Sequence, residues 1–130
     1  MATYLLDTSV LIDVLAGKRR RAELLRWLLL QHHRLAYCSI TVTEIYAGMR
    51  TGEEEQVREL LNGFCFFPVT WQIVRSAGLI KRAQARKGKA LSLADATIAA
   101  VALAHDFALI TDNVKDFPIP KLQVYPLPAT

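Results

Sequence analysis

Apolar positions along the chain fall into two kinds of run, and their alternation predicts the fold. Thr3-Tyr4-Leu5-Leu6 is a short continuous run of β-forming or large apolar side chains that ends at Asp7-Thr8-Ser9. That is the pattern of a buried strand delivering an acid to the rim of a sheet. Val10, Leu11, Val14 and Leu15 follow at helical spacing, with Thr8 or Ser9 available as the N-cap, so strand turns directly into helix. Gly17 punctuates, and Ala22, Leu25, Leu28 and Leu29 form the apolar stripe of a second helix from about Arg20 to His33. Leu35-Ala36-Tyr37-Cys38 reads as a second buried strand. A helix through Gly48 follows, started by Thr41 and Glu44 at the spacing of a capping box.

The second half repeats the alternation. Glu53 to Leu61 is an amphipathic helix with acids in its first turn, as the helix dipole prefers, and Asn62-Gly63 stops it. Phe64-Cys65-Phe66-Phe67 is a strand ended by Pro68, and Thr70 caps a long helix from Trp71 to Lys87 that stops at Gly88. Ser92 caps an alanine-rich helix from Leu93 to His105, with Asp95 in its first turn. Ala108 to Thr111 is a strand leading to Asp112-Asn113 and Lys115-Asp116-Phe117. A last strand around Gln123 to Tyr125, bracketed by Pro118, Pro120, Pro126 and Pro128, suits an edge. Strands and helices alternate without repeat or linker. This predicts one α/β domain over residues 1–130, a three-layer α/β/α sandwich around a mainly parallel sheet.

Composition agrees with that picture. A chain of 130 residues, 52% hydrophobic and 22% charged, can bury a core without disulfides or structural metals. Its apolar runs are too short to cross a bilayer, and Asp7 falls where the apolar region of a secretory signal would lie. Cys38 and Cys65 lack metal-site spacing and lie in strand-like runs, so they read as buried free thiols in a reducing cytoplasm. The net charge of +4 is clustered: Lys18-Arg19-Arg20-Arg21 forms one block, and Lys81, Arg82, Arg86, Lys87 and Lys89 another. Such blocks attract phosphate backbones, or else are solvated charges at loops and helix ends.

Several of the twelve carboxylates fall at equivalent places. Asp7 ends the first strand, Glu44 and Asp95 stand in first helical turns, and Asp112 or Asp116 follows a late strand. Strand ends and helix starts share one edge of a parallel sheet, so these side chains should converge. Clustered carboxylates repel one another unless a counter-charge is present, and a hard divalent cation with oxygen ligands supplies it. Mg²⁺ or Mn²⁺ is expected, because no His or Cys cluster offers a zinc-like shell. Each acid also has a local explanation: Glu44 and Asp95 as partners in helix caps, Asp7 and Asp112 as turn formers, Asp116 as a solvent-facing loop acid. Ser9, Thr111 and Asn113 place neutral oxygens beside the acids, where they would support the ligands.

The segments Leu5 to Asp13, Ile40 to Gly48, Leu91 to Ala100 and Thr111 to Phe117, in this order, closely resemble PIN domains of the VapC toxin type. The resemblance implies a PIN-like fold and a dimeric Mg²⁺- or Mn²⁺-dependent endoribonuclease of a toxin–antitoxin module, neutralised by a VapB-type antitoxin that inserts a segment into the active-site groove. By position it makes Asp7, Glu44 and Asp95 the first three acids. For the fourth, the family's alternatives fall on Asn113 and Asp116, with Asp112 one residue early, and the Asn-x-x-Asp-Phe form favours Asp116. Asp7 and Asp95 would hold a metal at the scissile phosphate, Glu44 would orient or deprotonate the attacking water, and Asp116 would support a second ion. Lys18, Arg19, Arg20, Arg86, Lys87 and Lys89 would hold the RNA backbone. Rival readings are a DNA nuclease with the same acids and a catalytically silent binding module. A phospho-acceptor is disfavoured because Ser9 occupies the third place of the required Asp-x-Asp.

Overall fold

Side chains along β1 (Thr3–Leu6) point alternately to two cores, Leu5 to one and Leu6 to the other, both fully buried. This period of two repeats across the sheet. In β2 (Arg34–Cys38), Ala36 and Cys38 join Leu5 while Leu35 and Tyr37 join Leu6, and in β4 (Ala108–Ile110), Leu109 and Ile110 divide the same way. A strand apolar on both faces must be covered on both, which is why the runs lack polar alternation. The computed structural model describes residues 1–127. Two further strands, β3 (Cys65–Phe67) and β5 (Val124–Tyr125), complete a sheet of order β3-β2-β1-β4-β5 in which every pairing is parallel.

Helices α1 (Thr8–Ala16), α2 (Arg21–Leu30), α3 (Ser39–Gly48) and α4 (Glu54–Asn62) cover the Leu6 face. Helices α5 (Trp71–Arg86) and α6 (Leu93–His105) cover the other. Alanine lets α6 lie close between sheet and α5: Ala96, Ile98, Ala99, Ala100, Val101 and Ala102 are all essentially inaccessible. Its start is fixed by Ser92, whose hydroxyl accepts from the Asp95 N–H (3.0 Å), and α5 is started likewise by Thr70 accepting from Ile73 (3.3 Å). Such caps contribute about 1 kcal/mol each.

Three expectations at helix starts are corrected. The second helix begins at Arg21 and ends at Leu30, and its buried stripe is Arg21, Leu25 and Leu28. Ala22 and Leu29 lie exposed instead, because Arg21 finds an acid partner inside and turns the helix toward it. The third helix begins at Ser39, directly after β2, so Thr41 and Glu44 lie within it and form no capping box. Glu44 is therefore in the second turn. At α1 the N-cap position is Asp7, not Thr8 or Ser9, and its carboxylate makes no capping bond. Cys38 is buried and Cys65 only half-buried, both as free thiols. The last strand does lie at an edge, and of the prolines around it Pro128 lies outside the described residues.

The chain moves outward from β1 through β2 to β3, then returns to place β4 on the other side of β1. β1 and β4 therefore flank the topological switch point, and the crevice beyond their carboxyl ends is where open α/β sheets gather ligands. The two strand ends are tied there by the Asp7 N–H donating to the Ile110 carbonyl (2.9 Å).

Candidate active site

Asp7 leaves β1 at that crevice only 5% exposed. One carboxylate oxygen, Oδ2, accepts hydrogen bonds from the Thr111 hydroxyl (2.7 Å) and the Ser9 hydroxyl (2.9 Å), so both strand ends flanking the switch point hold the same acid. Thr111 is itself fully buried and accepts from the Asn113 N–H (2.9 Å). Burial pushes the Asp7 pKa above the usual carboxylate range. The bonds from Thr111, Ser9 and the Thr8 backbone oppose this, and the charge of Asp116 adds to it. The net direction is upward because desolvation of a charge outweighs a few hydrogen bonds.

Asp95, half-buried at the first turn of α6, is raised for the same leading reason and then by the charge of Asp7; the Ser92 bond lowers it, and Asp116 and Glu44 raise it further. Three acids distant in sequence, Asp7, Asp116 and Glu44, thus lie within electrostatic reach of Asp95. Glu44 reaches that rim from α3, where Thr8 donates to its Oε1 (2.7 Å) and lies 3.1 Å from the fully buried Thr41 hydroxyl. Asp116 reaches it from a single 3₁₀ turn, Val114–Asp116, and is exposed. The acids do not close into a cage: among the described residues no three carboxylate, imidazole or thiol groups are gathered tightly enough to enclose an ion unaided. The tight cluster expected from the sequence is corrected to a looser set. Hydroxyls already occupy one oxygen each on Asp7 and Glu44.

Asp112 and Asn113 do something different. The Asp112 carboxylate is gripped by Arg21, with Nη2 on Oδ1 and Nε on Oδ2 (3.3 Å), and Arg19 Nη1 lies 3.6 Å from Oδ1. Burial pushes its pKa up, but the Arg21 bond, the charges of Arg21 and Arg19 and a bond with Asp13 bring it below the usual value. Its charge is committed to this network. Asn113 is exposed, and its backbone N–H donates to the Thr111 hydroxyl.

The first basic block is likewise divided. Arg21 is buried, Arg19 pairs with Asp112 and with Asp13 (3.9 Å), and Arg20 pairs with Glu23 (2.6 Å) on the surface. Within the block expected to meet phosphate, neighbouring acids already engage the arginines, while Arg19 and Arg20 keep much of their side chains in solvent. Lys18 is exposed and lines a cleft of about 450 Å³ between α1 and α3, with Ile12, Leu15, Ile45, Met49 and Arg50 among its walls. In the second block Arg86, Lys87 and Lys89 are exposed, while Lys81 donates to the Leu91 carbonyl (2.5 Å) and braces the loop ahead of α6. Sequence reasoning missed Thr8 as the partner of Glu44, and Arg21 as a buried cation. The signal available for the first was a hydroxyl directly following the strand-end acid.

The donor set suits a hard divalent cation: oxygen ligands only, no imidazole or thiol, and at least two carboxylates whose ionised forms are disfavoured in the absence of a counter-charge. Asp7, Asp95 and Asp116 are the candidates to hold it, with Glu44 beside them.

The family model described as PIN domain matches residues 4–118. Ribonuclease VapC10 of Mycobacterium tuberculosis is 36% identical over 117 residues, which cover 88% of this chain and 86% of that protein. A toxin–antitoxin complex from Klebsiella pneumoniae contains a chain 28% identical, with a TM-score of 0.76 and coverage of 95% of this chain and 98% of that one. In fold, a chain of the VapBC2 complex of Rickettsia felis bound to promoter DNA superposes with a TM-score of 0.82 at 22% identity, covering 95% of this chain and 97% of that one.

Proposed function

This chain belongs to the PIN domain family, and we propose that it is a divalent-metal-dependent endoribonuclease, the toxin of a toxin–antitoxin pair, held inactive by a VapB-type antitoxin. Ribonuclease activity is the property named for relatives at this level of identity, and the neighbouring structures are complexes of toxin with antitoxin. The single observation that carries the reading is that a chain matching the PIN domain model over residues 4–118 holds Asp7 at the sheet's switch point by hydrogen bonds from Ser9 and Thr111. One domain spanning residues 1–130 performs the reaction. The setting is the cytoplasm, where RNA and antitoxin are met; no helix among the described residues is long and apolar enough to cross a membrane. A homodimer is the working assembly.

Asp7, Asp95 and Asp116 would hold a divalent cation, which when bound would supply neutralising charge for the scissile phosphate and a more acidic water. The chain's own groups do the rest. Ser9 and Thr111 fix the rotamer of Asp7 by holding Oδ2. Thr8 fixes Glu44 through Oε1, leaving Oε2 to orient the attacking water and accept its proton. Asp116, exposed on its turn, would also support a second ion where one binds. Lys87, Lys89 and Arg86 contact the RNA backbone outside the acid rim.

The test is cleavage of an RNA and a DNA oligonucleotide of the same sequence by purified protein with Mg²⁺ or Mn²⁺. RNA cut internally, with activity abolished by a chelator, is expected. Equal cutting of DNA would move the assignment to the rival nuclease, and cleavage that persists in the chelator would remove the metal.

A further inference from the structure

Arg21 is the largest fully buried side chain among the described residues, and it is a cation. It enters the interior at the first residue of α2, after a turn in which Arg19 and Arg20 hold φ of 56° and 55° and Gly17 holds 68°. Left-handed backbone costs about 1 kcal/mol or more at a non-glycine residue, so this turn persists only because contacts around it over-determine it. Arg21 Nη1 donates to the Arg19 carbonyl (3.4 Å) and so closes the turn on itself, while Nη2 and Nε fork onto Asp112.

Asp112 stands between two features of the acid site. Thr111 before it gives its hydroxyl to Asp7, and the 3₁₀ turn after it carries Asp116. A buried ion pair roughly breaks even for stability against an apolar pair of the same volume, so stability alone does not account for this one. What an arginine fork adds is orientation: two parallel bonds fix the plane of the carboxylate, as a lysine does not. Resting on the nuclease reading above, we propose that Arg21 is a positioning residue for metal binding. Its grip on Asp112 sets the course of residues 111–116 so that Thr111 meets Asp7 and Asp116 faces Asp7 and Asp95, and it keeps Asp112 itself from serving as a ligand.

The test measures two things in the full chain: the rise in thermal midpoint produced by Mn²⁺, and the Mg²⁺ concentration giving half-maximal RNA cleavage. In the double variant Arg21→Met/Asp112→Leu both charges leave together. We expect a metal-free midpoint close to wild type, and about tenfold or more Mn²⁺ needed for the same stabilisation. Arg21→Lys keeps the charge and loses the fork, and is expected to show a shift of about threefold or more in the same direction. Asp112→Asn keeps Oδ1 as an acceptor and should weaken Mn²⁺ binding less than Asp116→Asn does. Half-saturation within twofold of wild type in the double variant overturns the inference; if that variant does not fold, the same criterion applied to Arg21→Lys decides. Equal losses in Asp112→Asn and Asp116→Asn overturn it too, by making Asp112 a ligand. A wild-type protein that neither responds to Mn²⁺ nor cleaves RNA sinks the nuclease reading itself, a different result from variants that match an active wild type.

Discussion

At the amino ends of the strands, where Arg34 and Asp106 stand exposed, the packed contacts are aromatic and backbone ones. The Ala2 N–H donates to His33 Nδ1 (3.1 Å), the His33 ring meets Tyr4 edge-on at 5.2 Å, and His105 stacks on Phe107 at 5.1 Å where α6 gives way to β4. At the carboxyl ends of the same strands, Asp7 and Asp95 sit in surroundings that disfavour their charge, with Glu44 and Asp116 beside them. One sheet and one pair of cores support both ends, so the difference is not a requirement of folding. A rim made only for stability would look like the amino end. The carboxyl end keeps unfavourable charge that a cation and a phosphate ester would relieve, the usual sign of a site whose function opposes its stability.

Substitutions at the two ends should therefore separate activity from stability. Asp95→Asn removes one charge from the rim while keeping its shape and the Ser92 cap. Cleavage of RNA at saturating Mg²⁺ should fall a hundredfold or more, equivalent to about 2.7 kcal/mol of barrier, with the midpoint of unfolding retained or raised. Phe107→Ala at the opposite end should do the reverse. A half-buried aromatic is lost from the larger core cluster, so stability in urea should drop by about 2 kcal/mol while the folded fraction cleaves at the wild-type rate. If Phe107→Ala lowered turnover per folded molecule as much as Asp95→Asn, the division between the ends would be false.

The strands and the two cores were legible because a period of two and a period near four leave separate marks on an apolar chain. Leu93 to His105 was bounded correctly because serine and histidine stand where caps and dipoles place them. Asp7 was legible for a related reason, since an acid ending a short apolar run has nowhere to go except the rim. What local pattern could not carry was pairing across long separations. Arg21 and Asp112 are ninety-one positions apart, and nothing near Arg21 distinguishes it from Arg19 or Arg20 before the fold brings the segment after β4 to the start of α2. Thr41 and Glu44 imitated a capping box because hydroxyl and acid three apart serve two purposes, and only the actual start of α3 separates them. The choice among Asp112, Asn113 and Asp116 was open for the same reason, since the pairing of Asp112 with a buried guanidinium leaves no local mark.

Acid pH offers a sharper contrast within the carboxyl end. Asp7 and Asp95 have raised pKa values in the fold, so ionising them costs stability. That stability is present below the ordinary aspartate value of 3.8 and is lost as pH rises through their folded values. Asp112 is lowered, so its contribution is present above 3.8 and is lost as pH falls through its folded value. In metal-free buffer, lowering the pH from neutral toward the ordinary carboxylate range should therefore favour the fold at Asp7 and Asp95 before Asp112 begins to oppose it. Asp7→Asn should melt a few degrees above wild type at neutral pH, the scale of about 1 kcal/mol in a domain of this size, and the two should converge as pH falls. A gap that widened at low pH would show that burial does not dominate at Asp7. Saturating Mn²⁺ should remove the gap at neutral pH, because the cation stabilises only the chain that still carries the acid.

The smallest effect concerns the two basic blocks, which look alike in sequence and differ in the fold. Arg19 and Arg20 already face carboxylates, whereas Lys87 and Lys89 stand exposed beyond the end of α5. Replacing a charge that a neighbouring acid already neutralises releases few counterions from a nucleic acid, while replacing a free one removes its full share. For single-stranded RNA that share is about 0.7 in the slope of log affinity against log salt per phosphate contact. Lys87→Ala/Lys89→Ala should thus lower the slope by about 1.4 and weaken binding a fewfold at moderate salt. Arg20→Ala should leave the slope within error of wild type. Binding to a labelled RNA in chelator, where no cleavage intervenes, gives both numbers from one titration series. If Arg20→Ala reduced the slope as much as the lysine pair, the first block would be meeting phosphate after all, its pairing with Glu23 giving way when RNA arrives.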